Sequence, residues 1–290
     1  AVIEYTKADL PENPEANGFV MSANKWWLTN PNAENKKNLP TGYYEQTLLG
    51  KNLDWIRCYA QGLYTYVQEG KPVMSEYDDT LMAADFLEPD ISLPIQVGVD
   101  FGLTPAAIFG QRTTKGRWNI LHELVTFDMG LERFGDMLKS ELASKFPKFE
   151  VLVHGDPAGM KRDEIYEVTA FDHLRSIGLT ARPTASNDFR VRREAGAMPM
   201  NRLIEGKPGL LVDKRCQRLR KALSGGYHFK RVQISGGERY RDAPNKNEHS
   251  HVGDAFMYLL LGGGEHKRLT RGTNNKFKQS VASTEFDIFA

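Results

Sequence analysis

From about residue 92 onward this sequence predicts an α/β fold on a mixed sheet, on three observations. Three extended segments follow one another there, joined by short turns. A fourth, Val151-Leu152-Val153-His154, is short and largely apolar, as an interior parallel strand should be. Between and after these segments run stretches whose apolar residues recur at helical spacing.

Taken in order, residues 1 to about 40 read as loop-rich. Pro11, Asn13, Pro14, Asn17-Gly18, Asn30-Pro31-Asn32 and Asn38-Leu39-Pro40 all disfavour regular structure, while Trp26 and Trp27 are expected to pack against something. A short helical region begins at Leu39-Pro40-Thr41-Gly42-Tyr43-Tyr44, and Tyr43, Leu48, Leu49, Leu53, Trp55 and Ile56 keep its spacing. Gly70-Lys71-Pro72-Val73 reads as a hinge or turn. Strands are expected at 95–100, 106–113 and 118–127, the last two joined by Thr114-Lys115-Gly116, which makes an antiparallel meander. A helix at 131–146 carries Leu131, Phe134, Met137, Leu138 and Leu142 on one side. After the strand at 151–154, a helix at 169–176 is stopped by Gly178 and another runs over 191–204. A strand at 210–212, a basic helix at 216–223 and a last helix at 250–261 follow. Gly262-Gly263-Gly264 ends that last helix, and residues 268–290 read as a flexible tail.

Composition sets outer bounds. A chain of 290 residues makes one large domain or two smaller ones. Its longest apolar stretch, 255–261, is far too short to cross a bilayer, so no membrane association is expected. The opening Ala-Val-Ile-Glu-Tyr lacks a basic head and an apolar signal region, so secretion is not expected either. Cys58 and Cys216 read as free cytosolic thiols. The formal charge of +1 hides an asymmetry: residues 1–94 hold seven Lys/Arg against fourteen Asp/Glu, whereas 182–231 hold thirteen against four. Such a basic stretch is either a solvated surface or a track for a phosphate backbone.

Three aspartates stand where chemistry is expected. Asp100 ends the run Ile95-Gln96-Val97-Gly98-Val99, and the small residues around it let a backbone and a ligand approach closely. Asp156 follows Val151-Leu152-Val153-His154-Gly155; Pro157 holds it extended, so it should project beyond the strand end, where open α/β sheets bind ligands. Asp254 borders the buried side of its helix, defined by Val252, Ala255, Phe256, Leu259 and Leu260, a costly place for an unpaired acid. His251 lies three positions earlier on the same side and could assist proton transfer. A turn aspartate or a structural salt bridge is the plainer alternative at each position. Gathered in one place, the three carboxylates would suit two Mg²⁺ or Mn²⁺ ions, hard cations that prefer oxygen ligands.

Over roughly residues 40–265 the chain resembles the nuclease portion of the large terminase subunit of tailed phages. The resemblance is carried by Leu39-Pro40-Thr41-Gly42-Tyr43-Tyr44, Gly70-Lys71-Pro72-Val73, the segment 98–104 and His154-Gly155-Asp156-Pro157-Ala158-Gly159. It continues through Ser186-Asn187-Asp188-Phe189 with Arg192, Gly206-Lys207-Pro208-Gly209-Leu210-Leu211-Val212-Asp213, Gly225-Gly226-Tyr227-His228-Phe229 and the segment 244–255. The order and spacing of these segments are far more specific than any one of them. What the resemblance implies is a ribonuclease H-like mixed sheet of five or more strands flanked by helices and preceded by a loop-rich, helical linker. It also implies a metal-dependent endonuclease that cuts concatemeric double-stranded DNA in the host cytoplasm, with the small terminase subunit and the portal protein as partners. The metal ligands carried over are Asp100, Asp156 and Asp254. Arg190, Arg192, Arg193, Lys214, Arg215 and Arg218 fall on the expected DNA side, and Lys246 is expected near the last ligand, within reach of a phosphate.

A Gly-x-x-x-x-Gly-Lys-Ser/Thr phosphate loop is absent from the sequence. Residues 1–85 are therefore expected to be the end of a packaging motor and its linker, with the nuclease at 86–267, and ATP hydrolysis is not expected of this chain. Three other readings remain in view. An actin-like ATPase or phosphotransferase would need a second glycine-rich loop and a longer α/β segment. An inert DNA-docking module and a Holliday-junction resolvase are separated from the leading reading by cleavage assays.

Overall fold

The computed structural model describes residues 5, 10–22, 25–30, 36–49, 56–61, 70–102, 104–161, 168–232 and 239–265. The expected tail at 268–290, and Leu53 and Trp55 of the early helical region, lie outside them, as does the side chain of Cys58. Two short helices, α1 (Tyr43–Thr47) and α2 (Asp79–Met82), precede the main strands, the second capped by the Asp78 side chain.

At the centre is a seven-stranded mixed sheet. Its strands are β4 (Ala83–Ala84), β5 (Ile95–Asp100), β6 (Ala106–Arg112), β7 (Trp118–Val125), β8 (Val151–Gly155), β9 (Ala181–Pro183) and β12 (Leu210–Asp213). They lie in the order β4-β12-β7-β6-β5-β8-β9. β6 is antiparallel to both its neighbours, and every other pair in the sheet is parallel. The run β7-β6-β5-β8-β9 thus has a hairpin-built meander on one side and parallel strands added on the other, which is the ribonuclease H-like arrangement. Parallel pairing from β5 to β8 requires a crossover, and helix α3 (Leu131–Lys145) supplies it, burying Phe134, Leu138 and Leu142.

Helices cover both faces. α3 and α4 (Ala170–Ser176) close one core around Val97, Val99, Phe109, Val153 and Phe171. α7 (Ser250–Leu260) and α6 (Gln217–Lys221) close the other around Ile108, Trp118, Ile120, Phe256 and Leu259. α7 is buried along nearly its whole length, so it acts as an interior element rather than an amphipathic cover.

Several expectations are corrected. The stretch read as loop-rich contains the hairpin β1 (Phe19–Ser22) with β2 (Lys25–Leu28), in which Phe19 and Trp27 are buried; the turn-forming residues flank the hairpin instead of interrupting it. Gly70-Lys71-Pro72 is not a hinge but strand β3 (Gly70–Pro72), paired with β13 (His228–Val232). A Cβ on Gly70 would stand 2.1 Å from the Phe229 carbonyl oxygen, so the glycine serves close strand approach. The helix expected over 191–204 is shorter, α5 (Phe189–Ala197), with the Asp188 side chain capping its N-terminus. Beyond it, β10 (Leu203–Ile204) and β11 (Lys207–Pro208) form a hairpin around Glu205 and Gly206, both at positive φ as a tight two-residue turn demands.

Candidate active site

The site is built by three elements that meet at one end of the central strand. Asp100 is the last residue of β5. Its neighbour β8 runs parallel with Val99 opposite Gly155, so Asp156 is the next residue along, on a backbone about 4.8 Å away. The Asp156 N–H donates to the Val99 carbonyl at 3.3 Å. The third element, α7, lies directly on β5: a Cβ on Gly98 would come within 2.2 Å of the Ala255 carbonyl oxygen and 2.4 Å of the Leu259 nitrogen. With only a hydrogen at Gly98 the helix packs flush, and Asp254 is carried to the strand end.

Both Asp100 (7 % exposed) and Asp254 (2 % exposed) are buried. Burial raises the pKa of Asp100, and the neighbouring Asp254 charge adds to it, while a hydrogen bond with His251 opposes both. That bond spans 3.0 Å from His251 Nδ1 to Asp100 Oδ2 and ties helix to strand. Around Asp254 stand three partners. Oδ1 accepts from the Tyr227 hydroxyl at 3.1 Å and faces Arg192 Nη1 at 3.2 Å; Oδ2 accepts from Lys246 Nζ at 2.5 Å. The Arg192 guanidinium is itself buried and stacks over the Tyr258 ring, 4.6 Å from its centroid. Tyr258 donates to Asn187 Oδ1 at 2.9 Å. Its pKa is raised, first by burial and also by the charges of Asp156 and Asp100.

Asp156 is held differently. Its Oδ1 accepts from the Ala158 N–H at 2.8 Å and caps the short turn Pro157–Met160. Among the described residues no group of three His, Cys, Asp or Glu side chains is close enough together to hold a metal ion. Asp100 is bonded to His251 and feels the charge of Asp254, while Asp156 stands just past the end of the next strand, engaged in its own turn, so the three aspartates expected to form one metal cage are not gathered within coordination reach of one ion.

The basic residues divide into two sets. Arg192 and Lys246 stand inside the site, on Asp254. Arg190 is exposed at the start of α5, while Arg193 turns to the Val73 carbonyl and to Glu76. Lys214, Arg215 and Arg218 follow β12, which β7 and β6 separate from Asp100. Lys214 pairs with Asp85, Arg215 with Asp213, and Arg215 and Arg218 each lie 4.7 Å from the ring centroids of Phe86 and Phe127. Sequence reasoning gave no role to Tyr227 or Tyr258. Tyr258 had a signal, four residues after Asp254 on the same helix face; Tyr227 had none beyond its place after two glycines. Cys216 is free and buried. Among the described residues no helix is long and apolar enough to cross a membrane.

No protein-family model matches the sequence, and no curated protein matches it. Among solved structures, the chain is similar to the large terminase of a thermophilic bacteriophage. That match has 15 % identity and a TM-score of 0.48, over 77 % of this chain and 52 % of the other. The nuclease domain of the P22 large terminase matches at 12 % identity and a TM-score of 0.49, over 70 % and 95 % of the two chains. The large terminase nuclease of a second thermophilic phage, G20c, matches at 16 % identity and 0.43, over 66 % and 97 %. The chain spans about half the length of the first of these large terminases.

Proposed function

We propose that this chain is a metal-dependent endonuclease that cuts concatemeric double-stranded viral DNA during genome packaging. What supports the reading is one observation: two buried carboxylates, Asp100 at the end of the central strand and Asp254 on the helix packed over it, lie close enough for the charge of Asp254 to raise the pKa of Asp100, with Asp156 just past the end of the next strand. Arg192 and Lys246 already balance Asp254, but Asp100 has only His251, and a carboxylate kept out of water beside a second one is unfavourable without a cation. The donor chemistry fits hard divalent ions, since all three groups offer carboxylate oxygens. Asp100, Asp156 and Asp254 would hold the metal. Two Mg²⁺ or Mn²⁺ ions bound there supply a more acidic water and charge neutralisation at the scissile phosphate.

The remaining residues position and neutralise. His251 fixes the rotamer of Asp100, and with about a third of its side chain exposed its ring is open to exchange protons with water. Arg192 and Tyr227 fix the orientation of Asp254. Exposed Arg190, Lys214, Arg215 and Arg218 supply phosphate contacts that are blind to sequence, so cutting has little sequence preference and binding falls steeply with salt. The small terminase subunit and the portal protein are the proposed partners, and the host cytoplasm during virus assembly is the proposed location.

Nicking of supercoiled plasmid tests this. The chain is expected to convert it to open-circle and linear forms with Mn²⁺ or Mg²⁺, to stop in EDTA, and to lose the activity in Asp100→Asn. Cutting that persists when Asp100, Asp156 and Asp254 are all changed to Asn overturns the reading, and strict preference for branched over linear DNA replaces it with a junction resolvase.

A further inference from the structure

The two oxygens of Asp254 are held in different ways. Oδ1 is bound from inside, by the buried Tyr227 hydroxyl and the buried Arg192 guanidinium. Neither can leave without repacking: Arg192 stacks on Tyr258 and Tyr227 belongs to the core under α7. Oδ2 is bound from outside by Lys246 Nζ, whose side chain is 66 % exposed. The residues on either side of Lys246 are anchored. The Asn245 N–H donates to the His228 carbonyl at 2.8 Å, and Asn247 Nδ2 donates to the Gly226 carbonyl at 2.8 Å. An ammonium on a flexible four-carbon stem is thus delivered to Oδ2 from a fixed base, and it can swing into water without disturbing the fold.

We infer that Lys246 is a resident counter-ion, a positioning residue that holds Oδ2 of Asp254 until a divalent cation displaces it. The inference rests on the metal reading above. Asp254 buried with a bare Oδ2 would carry a large desolvation penalty, and Lys246 removes it in the metal-free chain. A metal ion taking Oδ2 has to break that pair first, so Lys246 weakens metal binding and keeps the site closed to adventitious ions. Released, the ammonium remains beside the site as a positive charge.

Calorimetric titration of the chain with Mn²⁺, in the absence of DNA, tests this without reference to cleavage. Lys246→Met is expected to bind Mn²⁺ about tenfold more tightly than the parent. Lys246→Arg, which restores the charge, is expected to return towards the parent affinity. Arg190→Met removes an equal charge from an exposed position that makes no contact with Asp254, and is expected to change affinity by less than about twofold. A gain of affinity is not what damage to the fold produces, so it separates a counter-ion from a merely structural lysine. If the parent binds Mn²⁺, Asp100→Asn does not, and Lys246→Met binds no more tightly than Arg190→Met, the counter-ion role is overturned while the metal reading stands. If neither the parent nor Lys246→Met binds Mn²⁺ at millimolar concentrations, the metal reading falls and this inference falls with it.

Discussion

At Asp100 a carboxylate is kept out of water with one side-chain partner, His251, and feels the charge of Asp254 nearby. Replacing it with Asn removes the desolvation cost and the repulsion while keeping the shape. Asp100→Asn is therefore expected to abolish cutting and yet raise Tm by a few degrees, the usual trade between a strained site and stability. Asp254 is the opposite case. Its charge balances Arg192, which is buried, so Asp254→Asn leaves a guanidinium in the interior without an anion. That is expected to lower stability by about 3 kcal/mol. Denaturant melts of the two variants read the contrast, and shifts of the same sign would show that the charge balance is misassigned. Part of this was legible in the chain, since Val252 and Ala255 bracket Asp254 with core residues. Lys246 was expected close to Asp254, though as a phosphate contact and not as its partner; that Arg192 answers it from inside was not legible, because only folding chooses between an outward and an inward arginine.

Between elements, the contact that makes the site is α7 lying on β5 at Gly98. The obstacles that a Cβ would meet there, Ala255 O and Leu259 N, are backbone atoms and cannot rotate away. Gly98→Ala must push the whole helix off the strand. It is expected to destabilise the chain by about 2 to 3 kcal/mol, as overpacking does, and to weaken Mn²⁺ binding, because Asp254 and His251 move with the helix while Asp100 stays. Calorimetry together with a thermal melt checks both; a variant that melts normally and binds Mn²⁺ normally would show that the helix has slack. The sequence marks Gly98 as a place of close approach, and the backbone that approaches there is that of a helix. The meander and the strand ending at Gly155 were legible because apolar runs bounded by turn residues need no partner to be recognised. β9, β13 and the hairpin of β10 with β11 were not. All are short; β9 and β13 owe their extended form to neighbours distant in sequence, and each strand of the β10–β11 hairpin is only two residues long.

Across the whole molecule, the end of α7 locks the two sides of the sheet. The three glycines that read as a helix stop lie in its wide final turn, Leu261–Glu265, and two of them let it press on the interior: Gly262 against His154 of β8, Gly263 against Trp118 of β7. Glu265 is fully buried, bound at 2.8 Å by two nitrogens of Arg202 and at 3.0 Å by Trp118 Nε1. Acid should open this lock in two stages. Burial, with help from Arg182, depresses the pKa of His154 to about 4. Between an ordinary value near 6.5 and pH 4 the unfolded chain therefore takes up a proton that the folded chain refuses. Stability is full above pH 6.5 and declines towards pH 4, by on the order of 2 to 3 kcal/mol from this group. His122 and His249, lowered first by burial as well, push the same way. Burial pushes the Glu265 pKa up, but the hydrogen bonds from Arg202 and Trp118 outweigh it and the net shift is down. Its contribution is held above the ordinary glutamate range and lost as pH falls through the depressed value. Asp100 and Glu123, both raised first by burial, oppose this decline, so the share of the histidines is read from the His154 variant. Urea unfolding of the chain from pH 7.5 to 5 is expected to show stability falling with acidity, and His154→Gln to remove most of that slope while leaving stability at pH 7.5 nearly unchanged. A flat profile in the parent would mean that His154 is solvated in the folded state and that the glycine turn does not seal it.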